Sequence, residues 1–204
     1  ITKSDGTHLL SVRVRISHYP ATGAVRLEPL VIVDSATGIM QHLRELRMEV
    51  TPSAVTGVTI GGAAWEGGLG ENVRLFQVDD ETWRLEGARA SGEGKRAPGW
   101  LELQTADGVT ALAVRDFREQ WPKSLGVSGG CVSIGLLPAF EVGEFAHMEP
   151  WFKYQYLFEG ECYRLRTGQA RRWEVWLQPG VAGDTLTRFV NAPLVPAPDP
   201  AAAI

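Results

Sequence analysis

The sequence predicts an all-β protein, a large antiparallel sandwich of two sheets with at most one or two short helical turns. Three observations carry that expectation. Hydrophobicity alternates with period two along most of the chain, turn signals recur at short intervals, and sustained helical spacing is scarce. The 23 glycines and 12 prolines suit the number of turns such a fold needs.

The elements follow in order. In LLSVRVRISHY, Val12, Val14 and Ile16 share one face, and Ser11, Arg13, Arg15 and Ser17 the other. AVRLEPLVIVDS repeats the alternation with Val25 and Leu27, then changes phase near Pro29, which suggests an edge or a bulge. GIMQHLREL sets Ile39, Leu43 and Leu46 at helical spacing and reads as a single turn. LRMEV points Leu46, Met48 and Val50 inward. ENVRLFQV, TWRLEG, GWLELQT, VTALAV, CVSIGLL, ECYRLR and RRWEVWLQ complete about ten short strands. Trp83 and Trp100 fall at core positions of this pattern. Trp173 and Trp176, three residues apart, point to opposite faces, so a strand would bury only one of them. Residues 1–190 form the expected sandwich domain. The segment 191–204, rich in Pro and Ala and without periodicity, reads as a linker.

Composition excludes several classes. The chain has 204 residues, 44% of them apolar and 22% charged, as in an ordinary globular domain. A net charge of -4 with no Lys/Arg run gives no footprint for nucleic acid. No apolar run approaches the roughly 18 residues that would suggest a membrane-spanning helix. The chain starts at Ile1 and reads as a piece of something larger or a processed form. Cys131 and Cys162 read as buried free thiols, with a pairing left open. Composition gives no localisation, so secreted, periplasmic and cytoplasmic settings all stay open.

Few motifs carry chemistry. GVSGG at 126–130 has the letters of a nucleophile elbow, but it lies between strands with no helix after it, and a hairpin turn explains it better. The four histidines lack metal-ligand spacing, so neither metal nor cofactor is expected. His147 stands among Phe145, Trp151, Phe152, Tyr154 and Tyr156. That group is either a core cluster or a platform for flat sugar faces, with His147 and Tyr154 as acid or base. Trp65, in the glycine-rich GGAAWEGGLGE, reads either as an exposed loop side chain or as a cover for a sheet edge. Most informative is ALAVRDFREQWPKSL, where a buried strand ends in charge. Arg115 and Asp116, adjacent in a strand, should point apart. Arg115, Arg118 and Lys123 could grip a carboxylate while Trp121 stacks on a sugar ring, or they could form an ordinary polar rim.

The same stretch carries a resemblance. RDFREQWPKSL, then SGGCVSIGLLP and GQARRWEVWL, together with VRLFQ, GWLEL and RISHYPATGAVRLEP, resemble the central β-sandwich domain of the exo-rhamnogalacturonan lyase family (PcRGLX/YetA-like) over about residues 8–195. Arg118 and Glu119 stand where that family has Trp and Gln, Trp121 replaces Tyr, and Leu137 replaces Trp. The resemblance implies a sandwich, with a galactose-mutarotase-like supersandwich as one form. It also implies a RIFT-type barrel before the sandwich and an α/α toroid after it, with β-elimination at a uronate of rhamnogalacturonan. That reaction needs a neutralised carboxylate, a base and a proton donor. The expected function is a non-catalytic or cleft-lining domain of such a lyase. Its partners would be oligo- or polysaccharide and the neighbouring domains, not nucleic acid or membrane. The candidate contacts are Arg115, Arg118, Trp121, Lys123, Trp65 and Trp151. An autonomous carbohydrate-binding module and an inert spacer are the alternatives.

Overall fold

A computed structural model describes residues 1–3, 5–63, 65–148 and 157–192. One antiparallel sheet runs through β1 (Ser11–Tyr19), β2 (Ala24–Ile32), β17 (Val175–Pro179), β11 (Gly108–Val114), β10 (Trp100–Thr105), β5 (Val55–Ile60) and β6 (Trp65–Gly67). β16 (Ala170–Arg172) pairs with the far end of β2. A second sheet orders β4 (Leu46–Val50), β13 (Cys131–Leu137), β12 (Lys123–Ser128), β7 (Val73–Gln77), β8 (Thr82–Gly87) and β9 (Ala90–Lys95). A small third sheet joins β14 (Phe158–Glu159), β15 (Cys162–Arg166) and β3 (Met40–Leu43). The expected all-β, sandwich-like architecture is what the chain adopts.

The period-two pattern explains the core. Leu101, Leu112 and Val114 of the first sheet meet Leu75, Leu125 and Ile134 of the second in one cluster of buried side chains. Trp83 belongs to that cluster. GVSGG is the expected hairpin: Ser128 pairs with Cys131, and Gly129 and Gly130 take the positive φ values of 60° and 78° that a two-residue turn demands.

Several expectations are corrected. Val12, Val14 and Ile16 do share a face, but β1 is a sheet edge and all three are exposed. β2 is not an edge; Pro29 sits where its neighbour changes from β17 to β16, and there its carbonyl accepts from the Trp173 N–H at 3.1 Å. GIMQHLREL forms β3 and the start of β4, not a helical turn, because β15 and β13 supply partners for those strands. Trp65 lies in β6, hydrogen-bonded to β5 and buried, so it is no exposed loop side chain. Cys131 and Cys162 are free and half-buried.

The principal surprise is α1 (Gly183–Asn191). Leu186 and Val190, one turn apart, pack on Ala111, Ala113 and Trp176 on the outer face of the first sheet. Trp100 lies half-buried beside this second cluster instead of in the inter-sheet core. Both Trp173 and Trp176 are therefore buried, one on each face of the sheet, because a helix covers the face that a bare sandwich would leave wet. Asn191 closes the helix, and residues 193–204 of the expected linker lie outside the described residues.

Candidate functional site

The charged stretch after β11 does not form a clamp. The strand ends at Val114 and the chain coils through turns, with the Gln120 N–H donating to the Asp116 carbonyl at 2.9 Å. Asp116 adopts a φ of 49°, which swings its carboxylate back to 3.7 Å from Arg115. The two therefore pair, against the expectation from strand geometry, and Arg115 also lies 3.6 Å from Glu174. Arg118 donates to its neighbour Glu119 at 2.7 Å. Trp121 is half-buried, its ring 6.4 Å from that of Phe158.

Lys123 departs furthest from a surface role. As the first residue of β12 it is completely buried, its ammonium donating to the Leu136 carbonyl at 2.7 Å and lying 5.1 Å from the Trp173 ring. Burial, and then the nearby Arg171 charge, push its pKa well below the usual lysine range. It cannot reach a ligand at the surface. His147 is exposed, with Nε2 3.8 Å from Asp79. Its neighbour Phe145 is buried against Phe158 with ring centroids 3.8 Å apart, so the core reading holds for that ring. Trp151 and Tyr154 lie outside the described residues.

A guanidinium-and-indole arrangement does exist, built from other residues. A cleft of about 390 Å³ opens between β2, the end of β13, β15 and β16. Arg164, Arg166 and Arg171 line it with Trp173, and no carboxylate does so among the described residues. Such a volume lies within the ordinary range for small-ligand sites. Trp173 arrives there through the break between β16 and β17, where the chain leaves the ladder at Trp173 and Glu174. Its indole is 1% exposed and its Nε1–H has no protein acceptor among the described residues.

Arg171 is the centre of this cleft. Its guanidinium carbon stands 5.4 Å from the Trp173 ring centroid, and its Nη2 makes one long contact, 3.5 Å, to the Gln120 carbonyl. Among the described residues no carboxylate comes within ion-pair distance of it. Burial lowers its pKa, which the Tyr163 hydroxyl beside it partly opposes. Arg164 differs, being paired with Glu159 at 3.2 Å. A half-buried cation without a counter-ion is an unfavourable arrangement that a bound anion would relieve. The β11–β12 stretch does contribute, through the Gln120 carbonyl and through Lys123 behind Trp173.

In the sequence these arginines fall within the strand segments ECYRLR and RRWEVWLQ. The available signal was the triplet Arg171-Arg172-Trp173, a guanidinium beside an indole. Among the described residues no three His, Cys, Asp or Glu side chains gather as a metal ion would require. No family model matches the chain, and neither a curated protein nor a solved structure does.

Proposed function

We propose that the chain is a carbohydrate-binding β-sandwich domain that receives a uronate, and that it lines the substrate cleft of a pectic polysaccharide lyase without itself removing the proton. The observation behind this reading is Arg171, a cation with no carboxylate partner among the described residues, set over Trp173 in a cleft lined by arginines. A uronate supplies what such a cleft lacks: a planar carboxylate for guanidinium forks and an apolar ring face for Leu157 and Leu165. Arg171 would neutralise that carboxylate, the first requirement of β-elimination. The lyase assignment rests on the motif resemblance, and neighbouring barrel and toroid domains would supply the base and the proton donor.

A freestanding carbohydrate-binding module is the second reading. It asks only for the guanidiniums that line the cleft, those of Arg164, Arg166 and Arg171.

Calorimetric titration of the chain with galacturonate and with rhamnogalacturonan oligosaccharides tests both. Wild type should bind, and Arg171→Met should lose at least about tenfold in affinity, the loss of one charged hydrogen-bonding partner. Binding unchanged in the variant would sink the uronate reading. Release of unsaturated uronide by a longer chain containing this domain, reduced in Arg171→Met, would favour the lyase over the module.

A further inference from the structure

A second cleft, of about 440 Å³, lies on the outer face of the six-stranded sheet. Strand register builds it. One row across the sheet reads Glu49, Ser133, Gly126, Arg74, Glu86. The next reads Arg47, Gly135, Ser124, Phe76, Arg84. In both rows the two central strands, β13 and β12, carry only Ser or Gly, while β4 on one side and β7 and β8 on the other carry long side chains. The result is a trough spanning three strand spacings, about 14 Å. Its floor is kept low by packing: a Cβ on Gly126 would collide with the Val73 carbonyl, and one on Gly135 with the Ser124 hydroxyl.

The wall of the trough is rigid. Arg74 donates to Glu86 through Nε at 2.9 Å and Nη2 at 2.5 Å, and through Nη1 to the Ala139 carbonyl at 2.8 Å. Arg84 donates to Glu86 and, fork to fork, to Glu144 at 2.6 and 2.7 Å. Both guanidiniums lie over the buried Phe76 ring, at 4.8 and 4.9 Å. Of the charged side chains lining the trough, Arg47 and Arg74 balance Glu45 and Glu86.

We propose that this trough is a binding subsite for a neutral pyranose. A hydroxyl group donates and accepts, so adjacent hydroxyls of a sugar match a fixed guanidinium and carboxylate side by side. A carboxylate ligand would meet Glu45 and Glu86, and an apolar ligand would strip water from four charges for no return. The two clefts are neighbours. Leu137 lines the arginine cleft and Ala139 the trough, so only Pro138 separates them along the chain. Tyr163 fixes that divider, its hydroxyl donating to the Pro138 carbonyl at 2.6 Å. Resting on the uronate reading above, the geometry points to one oligosaccharide with its acidic unit against Arg171 and a neutral unit in the trough.

Titration with galacturonate alone and with a disaccharide of galacturonate and a neutral sugar tests this, in wild type and in Ser133→Tyr, which fills the trough from a half-buried position. Disaccharide affinity should fall at least about tenfold in the variant while galacturonate affinity stays within about twofold. In wild type, the Arg74 Nε–H resonance should move with the disaccharide and stay still with galacturonate. An unmoved Arg74 resonance together with unchanged disaccharide affinity in Ser133→Tyr overturns the subsite and leaves the uronate reading standing. Wild type that binds neither probe overturns both.

Discussion

Two of the places where the molecule sets arginine over an aromatic ring give opposite results. Beside the trough, Arg74 and Arg84 rest on Phe76, and each is held by glutamate: Glu86 takes both, Glu144 takes the fork of Arg84. In the cleft, Arg171 lies over Trp173 and, among the described residues, makes one long contact to a carbonyl. The ring contact alone does not separate the two sites; the carboxylates do. A balanced set is a brace, which lowers the pKa of Glu86 against the opposing effect of its burial and raises that of Arg84, chiefly through Glu144. An unbalanced cation gives up stability and keeps its hydrogen-bonding capacity for something outside the protein.

The largest test of that contrast is on the braced side. Arg84→Met should cost about 2 kcal/mol in denaturant unfolding, because it leaves the nearly buried Glu144 without its bidentate partner. The pair is partly screened on the arginine side, so a greater loss is not expected. A cost near zero would mean that the brace contributes nothing and that the two arginine sites do not differ in kind.

Lys123 gives the next test, with a pH signature. Its folded pKa is lowered, so below the unfolded value of about 10.4 the unfolded chain binds more protons than the folded one. Stability should therefore rise with pH from the lowered folded value up to about 10.4. Lys123→Met should abolish that rise and, at neutral pH, leave the protein about 1 kcal/mol more stable, the removed desolvation cost outweighing one lost hydrogen bond to Leu136. A variant that keeps the wild-type slope would place its origin in another group.

The sheets were legible because their side chains are dictated locally: Leu125 and Ile134 alternate with Ser and Gly, and both fall in the core. The failures have non-local causes. Val12, Val14 and Ile16 alternate equally well, yet nothing in β1 says that it will stand at a sheet edge with that face exposed. Helix α1 has no side-chain N-cap; its first N–H is held by Glu102 from β10, 81 residues away. The candidate site failed in the same way. Residues 115–123 carry conspicuous charge, but Arg115 and Arg118 find carboxylates close by and Lys123 turns inward. Arg171 looks like any strand arginine in sequence. Only the fold shows that no carboxylate among the described residues reaches it, because that depends on which distant segments pack around it.

The smallest and most discriminating effect is at Arg171 itself. A cation kept half-buried with no carboxylate partner among the described residues should be a net liability in the free protein. Arg171→Met preserves much of the contact with Trp173 and removes the charge, so the free protein should gain about 0.5 kcal/mol or more. The same substitution should abolish the extra stability that galacturonate confers on wild type, since ligand stabilisation follows the affinity it reports. Opposite signs in the two measurements, stability up and ligand response down, are what a binding residue held against its own folding cost should show. If Arg171→Met instead destabilises the free protein as much as Arg84→Met does, Arg171 is a second brace. The contrast between the two arginine sites would then collapse.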